Sequence, residues 1–175
     1  GQYLEQITGV PLVFPGLVLG IAMLQIGLQV PFPLYGTVSL LILAFVTRYL
    51  PYGMRYSYTG VIQIHRELEE AAGVCGASQT TILRRIVAPL LSPSLIVGWL
   101  FIFLVAAKEL AMAVLLAGAH SKTIAVAMFD QWANGDGGEV AAMGIVWTVF
   151  MTACAALMQA LAKRQAKSLG GTLDT

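Results

Sequence analysis

Charge is scarce in this sequence: lysine, arginine, aspartate and glutamate together make up 11% of its 175 residues. That is too little to wet the surface of a soluble domain. Cysteine is nearly absent, and Cys75 and Cys154 give neither a disulfide framework nor a metal-ligand spacing, which leaves them as small apolar packing residues. Catalytic constellations are missing as well. No nucleophile stands beside a base, no glycine loop has phosphate-binding spacing and no carboxylates are paired for acid–base work, so the chain is not expected to hydrolyse anything itself. GQYLEQITG at the start has no basic n-region, so no cleavable leader is expected and the apolar run behind it reads as a span.

What is present is apolar. Hydrophobic residues fill 58% of the positions and mean hydropathy is +0.79, which reads as an integral membrane protein. The formal net charge of +1 is uninformative beside the placement of the basic residues. Spans are expected at about 10–28, 34–50, 90–110 and 140–161, each near the roughly 20 residues a helix needs to cross hydrocarbon. In the first, Gly16 and Gly20 form a GxxxG pair that either lets another helix approach closely or reflects only the frequency of glycine in membrane helices. Arg48 falls near the end of the second, where it can snorkel to the headgroups, and Tyr49, Tyr52, Tyr56 and Tyr58 suit the interface beyond. An aromatic, basic segment can signal nucleic acid, but beside a span no nucleic-acid partner is expected.

Lys108 and Glu109 interrupt the third apolar stretch. They can anchor at the interface, pair with other helices or line a path through the membrane, and Leu110–Leu116 reads as a bend or short helix dipping back. An outer loop at about 118–139 holds a short helix, Thr123–Trp132. His120, Asp130, Asp136 and Glu139 lie in or near it at spacings that match no metal-ligand motif, so no metal is expected. The last span is followed by Lys163, Arg164 and Lys167, which read as a cytoplasmic anchor. With Arg48, Arg55, Arg66, Arg84 and Arg85 they fall on one side, leaving Lys108 and Lys122 elsewhere, as the positive-inside tendency requires.

Between the second and third spans, at about 52–89, lies a polar cytoplasmic loop with its own helical grammar. A first helix, Ile62 to Cys75, ends at Gly76, where a left-handed residue carries no steric penalty. Ser78 is placed to cap a second helix, which Pro89 is expected to stop. Glu70, Ala71, Ala72, Gly76, Ile86 and Pro89 fall in the pattern Glu-Ala-Ala, three residues, Gly, nine residues, Ile, with a proline three further on, and Ala88 stands where that pattern has leucine. The stretch EAAGVCGASQTTILRRIVAP thus resembles the EAA loop of the permease subunits of binding-protein-dependent ABC importers. GWLFIFLVAAKELAMAVLLAG and SKTIAVAMFDQWANGDGGEVAAM look most like the ferric-iron branch of that family.

The resemblance implies an all-α fold, a polytopic transmembrane helical bundle corresponding to the C-terminal part of a type I ABC importer permease with cytoplasmic coupling helices. It implies one transmembrane permease domain over residues 1–175, set in the bacterial cytoplasmic (inner) membrane. Family halves carry five or six spans, so a chain with about four is expected to be a fragment of a longer one. Expected partners are ABC ATPase subunits, which bind the ATP, an extracytoplasmic substrate-binding protein, a second permease half, fused or separate, and the lipid bilayer; the chain itself is expected to bind no cofactor. Glu70, Ala71, Ala72, Gly76, Ile86 and Pro89 become the ATPase-coupling residues, although Glu70 can equally pair with Arg66 one turn away. The implied function is ferric-iron uptake, with polyamine, thiamine or phosphonate import as the alternative. A membrane scaffold or sensor with a partner-binding loop is the reading from another class.

Overall fold

Long apolar runs with few charges build helices throughout. The computed structural model describes residues 14–170, with side chains described to Lys163, and no strand occurs among them. In chain order the elements are α1 (Gly16–Gln29), α2 (Val38–Ile62), α3 (Arg66–Val74), α4 (Gln79–Ile82), a π turn (Leu83–Val87), α5 (Ala88–Ala106), α6 (Ala113–Leu116), α7 (Ile124–Ala133) and α8 (Gly137–Gly170). Contacts divide the chain into two units, Gly1–Pro51 with Phe103–Ala153, and Tyr52–Ile102 with Cys154–Thr175. Among the described residues two helical stretches are long and apolar enough to cross a membrane, Gln79–Ala106 and Gly137–Lys163.

The core of the first unit is built on glycine. Along α1 the buried positions are Gly16, Gly20, Met23 and Gly27, one stripe at helical spacing. A side chain on Gly27 would meet Leu40 at 2.7 Å, and one on Gly20 would come within 3.2 Å of the Met112 backbone. Leu40, Met112 and Leu116 are fully buried behind this stripe, with Leu41, Ala44, Ala113 and Val126 around them. The rest of α1 turns Leu17, Val18, Ile21, Ile26 and Leu28 outward. Gly36 and Gly118 meet backbone to backbone, and the Ser121 hydroxyl donates to the Gly36 carbonyl at 2.7 Å while accepting from the Gly118 N–H at 2.8 Å. A Cβ on Gly118 would lie 2.5 Å from that carbonyl, so only glycine fits there.

In the second unit α2 and α5 run against each other. Gly98 lies under Tyr56, Gly60 faces Leu91 and Ser94, and the Ser94 hydroxyl donates to the Tyr56 carbonyl at 3.2 Å. Tyr52 and Tyr56 both reach Phe101, with ring centroids 5.5 and 5.6 Å away.

These contacts correct the expected boundaries. The loop expected from about residue 52 includes most of PYGMRYSYTG, yet α2 continues through that stretch to Ile62. Pro51 removes one donor, and ring packing on α5 holds the helix beyond it. The helix expected from Ile62 starts instead at Arg66, after a break at residues 63–65. Pro89 stops nothing: the chain is helical from Gln79 to Ala106. The Ala88 N–H bonds to the Leu83 carbonyl, a wider π-type turn just ahead of the proline, and that widening absorbs the clash and the missing donor. Pro93 would leave the Pro89 carbonyl without a partner one turn back, and the Ser92 hydroxyl takes its place at 2.9 Å. The start of the first expected span, at residues 10–13, and the side chains of Arg164 and Lys167 lie outside the described residues.

Gly98→Leu is expected to force α2 and α5 apart and lower stability by about 1–3 kcal/mol, the usual penalty for overpacking. Gly73→Ala has open space around its Cβ and is expected to raise stability by roughly 0.5–1 kcal/mol. Thermal unfolding in detergent micelles measures both.

Candidate functional site

The polar segment between α2 and α5 begins with a helix that lies mostly in solvent. None of the residues of α3 is buried. Leu68 is 46% exposed and Val74 90%, beside an acidic row of Glu67, Glu69 and Glu70. The acids at Glu67 and Glu69 lie in the first turn, where negative charge meets the positive end of the helix dipole. Glu70 pairs with Arg66 at 3.2 Å, an i,i+4 contact with both side chains largely in solvent. Such a pair contributes about 0.3–0.5 kcal/mol, so Glu70 can exchange it for another partner at little loss. Ala71 is exposed and Ala72 half-buried.

The turn after α3 is fully specified by its hydrogen bonds. The Ala77 N–H bonds to the Ala72 carbonyl and the Gly76 N–H to the Gly73 carbonyl, with Gly76 at φ +80°, the paired bonds of a Schellman motif. Ser78 then caps the next helix by accepting from the Thr81 N–H at 3.3 Å. Ile82 is buried and Ile86 half-buried, while Arg84 and Arg85 on the same turns stay exposed. The segment is therefore one free helix, one glycine-locked turn, and a second helix that passes through the π turn into a long apolar stretch.

A second cluster lies in the first unit. Glu109 Oε2 pairs with Arg48 Nε at 3.1 Å and accepts from the Tyr49 hydroxyl at 3.1 Å, while its Oε1 accepts from the Met112 N–H at 3.3 Å. The paired side chains are only 21% and 11% exposed. Gly16 makes room for them, because a Cβ there would lie 2.9 Å from the Glu109 carboxylate and 3.2 Å from the Arg48 guanidinium. Arg48 thus does not snorkel; it turns inward to the acid. Arg48 has no acid within a turn of its own sequence, and that is the signal by which a distant partner could have been sought. Lys108, next to Glu109, points elsewhere: it is exposed and makes no ion pair with a described residue.

Asp130 and Glu139 are engaged locally. Lys122 holds Asp130 at 2.6 Å, and the Gln131 side-chain amide donates to Glu139 at 2.6 Å. Thr123 caps α7, accepting from the Val126 N–H at 3.3 Å.

The described residues thus hold two helices apolar enough for a membrane, Gln79–Ala106 and Gly137–Lys163, and just ahead of the first lies an exposed acidic helix closed by a glycine-locked turn. The chain belongs to the family of binding-protein-dependent transport system inner membrane components, whose model matches residues 2–168. It is 29% identical over 150 residues to the spermidine/putrescine transport system permease protein of Haemophilus influenzae, covering 86% of this chain and 58% of that one. It is also 29% identical over 150 residues to the ferric transport system permease protein of Actinobacillus pleuropneumoniae, covering 86% of this chain and 22% of that one. A second spermidine/putrescine permease protein, from Shigella flexneri, is 26% identical over 131 residues, which is 75% of this chain and 50% of the relative. The chain thus spans between about a fifth and three fifths of the length of these curated relatives.

Glu109→Ala leaves the Arg48 charge half-buried and unpaired and is expected to destabilise the first unit by about 3–5 kcal/mol. The double variant Arg48→Met with Glu109→Met is expected to lose much less, and a double-mutant cycle by thermal unfolding measures the difference. Gly76→Ala, forced to positive φ, is expected to cost about 1–2 kcal/mol locally, with Gly76→Asn milder; amide exchange of residues 66–77 reads it.

Proposed function

We propose that this chain is part of the permease of an ATP-driven ABC importer in a bacterial cytoplasmic membrane, crossing it several times, and that its segment 66–89 is the docking and coupling element for an ATPase subunit. The observation that carries this reading is α3, a helix with exposed leucine, valine and acids and with no fully buried residue. A helix with apolar side chains in solvent is expected to find its partner elsewhere. Its connection supports coupling: the Schellman turn holds α3, and the helix after it runs into an apolar stretch long enough for a membrane. A push on α3 then reaches the membrane through rigid elements instead of being absorbed in a loop. Glu70 and the small Ala71 and Ala72 face the ATPase, Gly76 sets the angle, and Ile82 and Ile86 fix the second helix. ATP is bound and hydrolysed on the partner, and an extracytoplasmic binding protein delivers the cargo.

The proposed cargo is ferric iron, supported by the likeness to the ferric permease protein named above and to two more from Haemophilus influenzae, 25% identical over 116 residues and 34% identical over 93. Polyamine import is the second reading, favoured by the spermidine/putrescine relative, of which this chain covers more than half.

Co-purification with a candidate ABC ATPase subunit from the same organism tests the docking claim. Glu70→Lys is expected to reduce recovery of the complex about tenfold, as loss of one charge-assisted contact of about 1.4 kcal/mol would. Absence of any complex for the wild type points instead to a membrane scaffold with another partner. Gly76→Pro is expected to abolish ATP-driven uptake while leaving membrane insertion intact; uptake at wild-type rate sinks the coupling role. Competing radiolabelled ferric iron with spermidine in the same vesicles separates the two cargoes.

A further inference from the structure

We propose that a groove in the first unit, formed by α7, α8 and the turn after α5, holds one anionic phospholipid by its phosphate and the upper part of its acyl chains. This rests on the membrane placement argued above and assigns a new ligand to residues outside the coupling segment. The groove is open, has a volume of about 320 Å³ and is lined by Lys108, Leu110, Met128, Phe129, Trp132 and Trp147, together with Ala125. Every side chain but one is apolar.

The exception decides the ligand. Lys108 is exposed and makes no ion pair with a described residue, because its neighbour Glu109 is committed to Arg48. The other lysine of this region, Lys122, is held by Asp130 at 2.6 Å. An uncommitted ammonium at the edge of an aromatic wall fits an amphiphile with one negative oxygen group and a hydrocarbon body. A free oxyanion would leave the indole wall uncovered, and a neutral apolar molecule would leave the charge unanswered.

Position along the chain supports the same occupant. Lys108 comes just after the apolar stretch that ends at Ala106, and Trp147 lies inside the apolar stretch Gly137–Lys163. The groove therefore joins a residue just past one candidate span to a ring within another, as an amphiphile with its headgroup at the interface and its chains in hydrocarbon would require. Trp132 is 67% exposed and stands against Phe129 at 5.9 Å between ring centroids, while Trp147 stacks on Phe150 at 5.5 Å. The wall is preformed.

The importer carrying this chain, reconstituted in bilayers of equal phosphatidylglycerol and phosphatidylcholine, is extracted gently, and retained lipid is identified by native mass spectrometry. The wild type is expected to retain phosphatidylglycerol over phosphatidylcholine by about fivefold, the preference one lysine at a membrane surface supports. Lys108→Gln is expected to lose that preference, Lys122→Gln to keep it, and Trp132→Ala to retain less of both lipids. An unchanged preference in Lys108→Gln overturns the proposal. So does full displacement of the lipid by millimolar inorganic phosphate, which would make this a site for a free oxyanion, or a Lys108→Gln variant that keeps its lipid but no longer engages the substrate-binding protein. Failure of the wild type to enter bilayers at all would instead overturn the membrane reading, whereas insertion without lipid preference removes this inference alone.

Discussion

A helix surrounded by hydrocarbon must satisfy its own backbone, and in this chain one helical run does so from Gln79 to Ala106 across two prolines. The widened turn at Leu83–Val87 takes up the missing donor of Pro89, and the Ser92 hydroxyl replaces the donor that Pro93 lacks. Because that run is unbroken, the capped end at Ser78 and the apolar body that follows are parts of one rod. The glycine-locked turn at Gly76 then joins α3 to the rod through hydrogen bonds instead of through slack chain. The coupling role proposed for residues 66–89 follows from this continuity more than from any single side chain.

The first unit obeys a related constraint, that a charge among apolar helices needs a partner. Arg48 and Glu109 answer each other, Tyr49 and the Met112 amide fill the remaining carboxylate positions, and Gly16 leaves the space they occupy. The glycines of α1 therefore serve two ends. Gly20 and Gly27 bring backbones close to Met112 and Leu40, and Gly16 admits an ion pair that any side chain would displace.

Local chemistry is legible in the sequence. The end of α3 at Gly76, the cap at Ser78 and the short α7 after Thr123 each depend on neighbours within a turn or two, and each lies where the sequence places it. The Glu-Ala-Ala pattern pointed to the family that the comparison with known proteins establishes. What could not be read depends on distant partners. The tyrosine-rich segment is helical because Tyr52 and Tyr56 meet Phe101 and because Gly98 and Gly60 let α5 come close. The Arg48–Glu109 pair joins positions some sixty residues apart, as the Tyr49–Glu109 bond does at a separation of 60. Pro89 misleads because a local rule, that proline ends a helix, yields to a one-residue adjustment of register.

The most direct test of the account uses a probe the chain already carries. Cys75 closes α3 and is exposed and free, while Cys154, half-buried in α8, serves as an internal reference. Maleimide labelling of both thiols in membranes, with and without the ATPase subunit bound, reports whether α3 is covered. An ATPase docked on α3 is expected to slow labelling of Cys75 and leave the rate at Cys154 unchanged. Equal labelling of Cys75 in the presence of a bound ATPase would contradict it, and would place the docking surface somewhere other than α3.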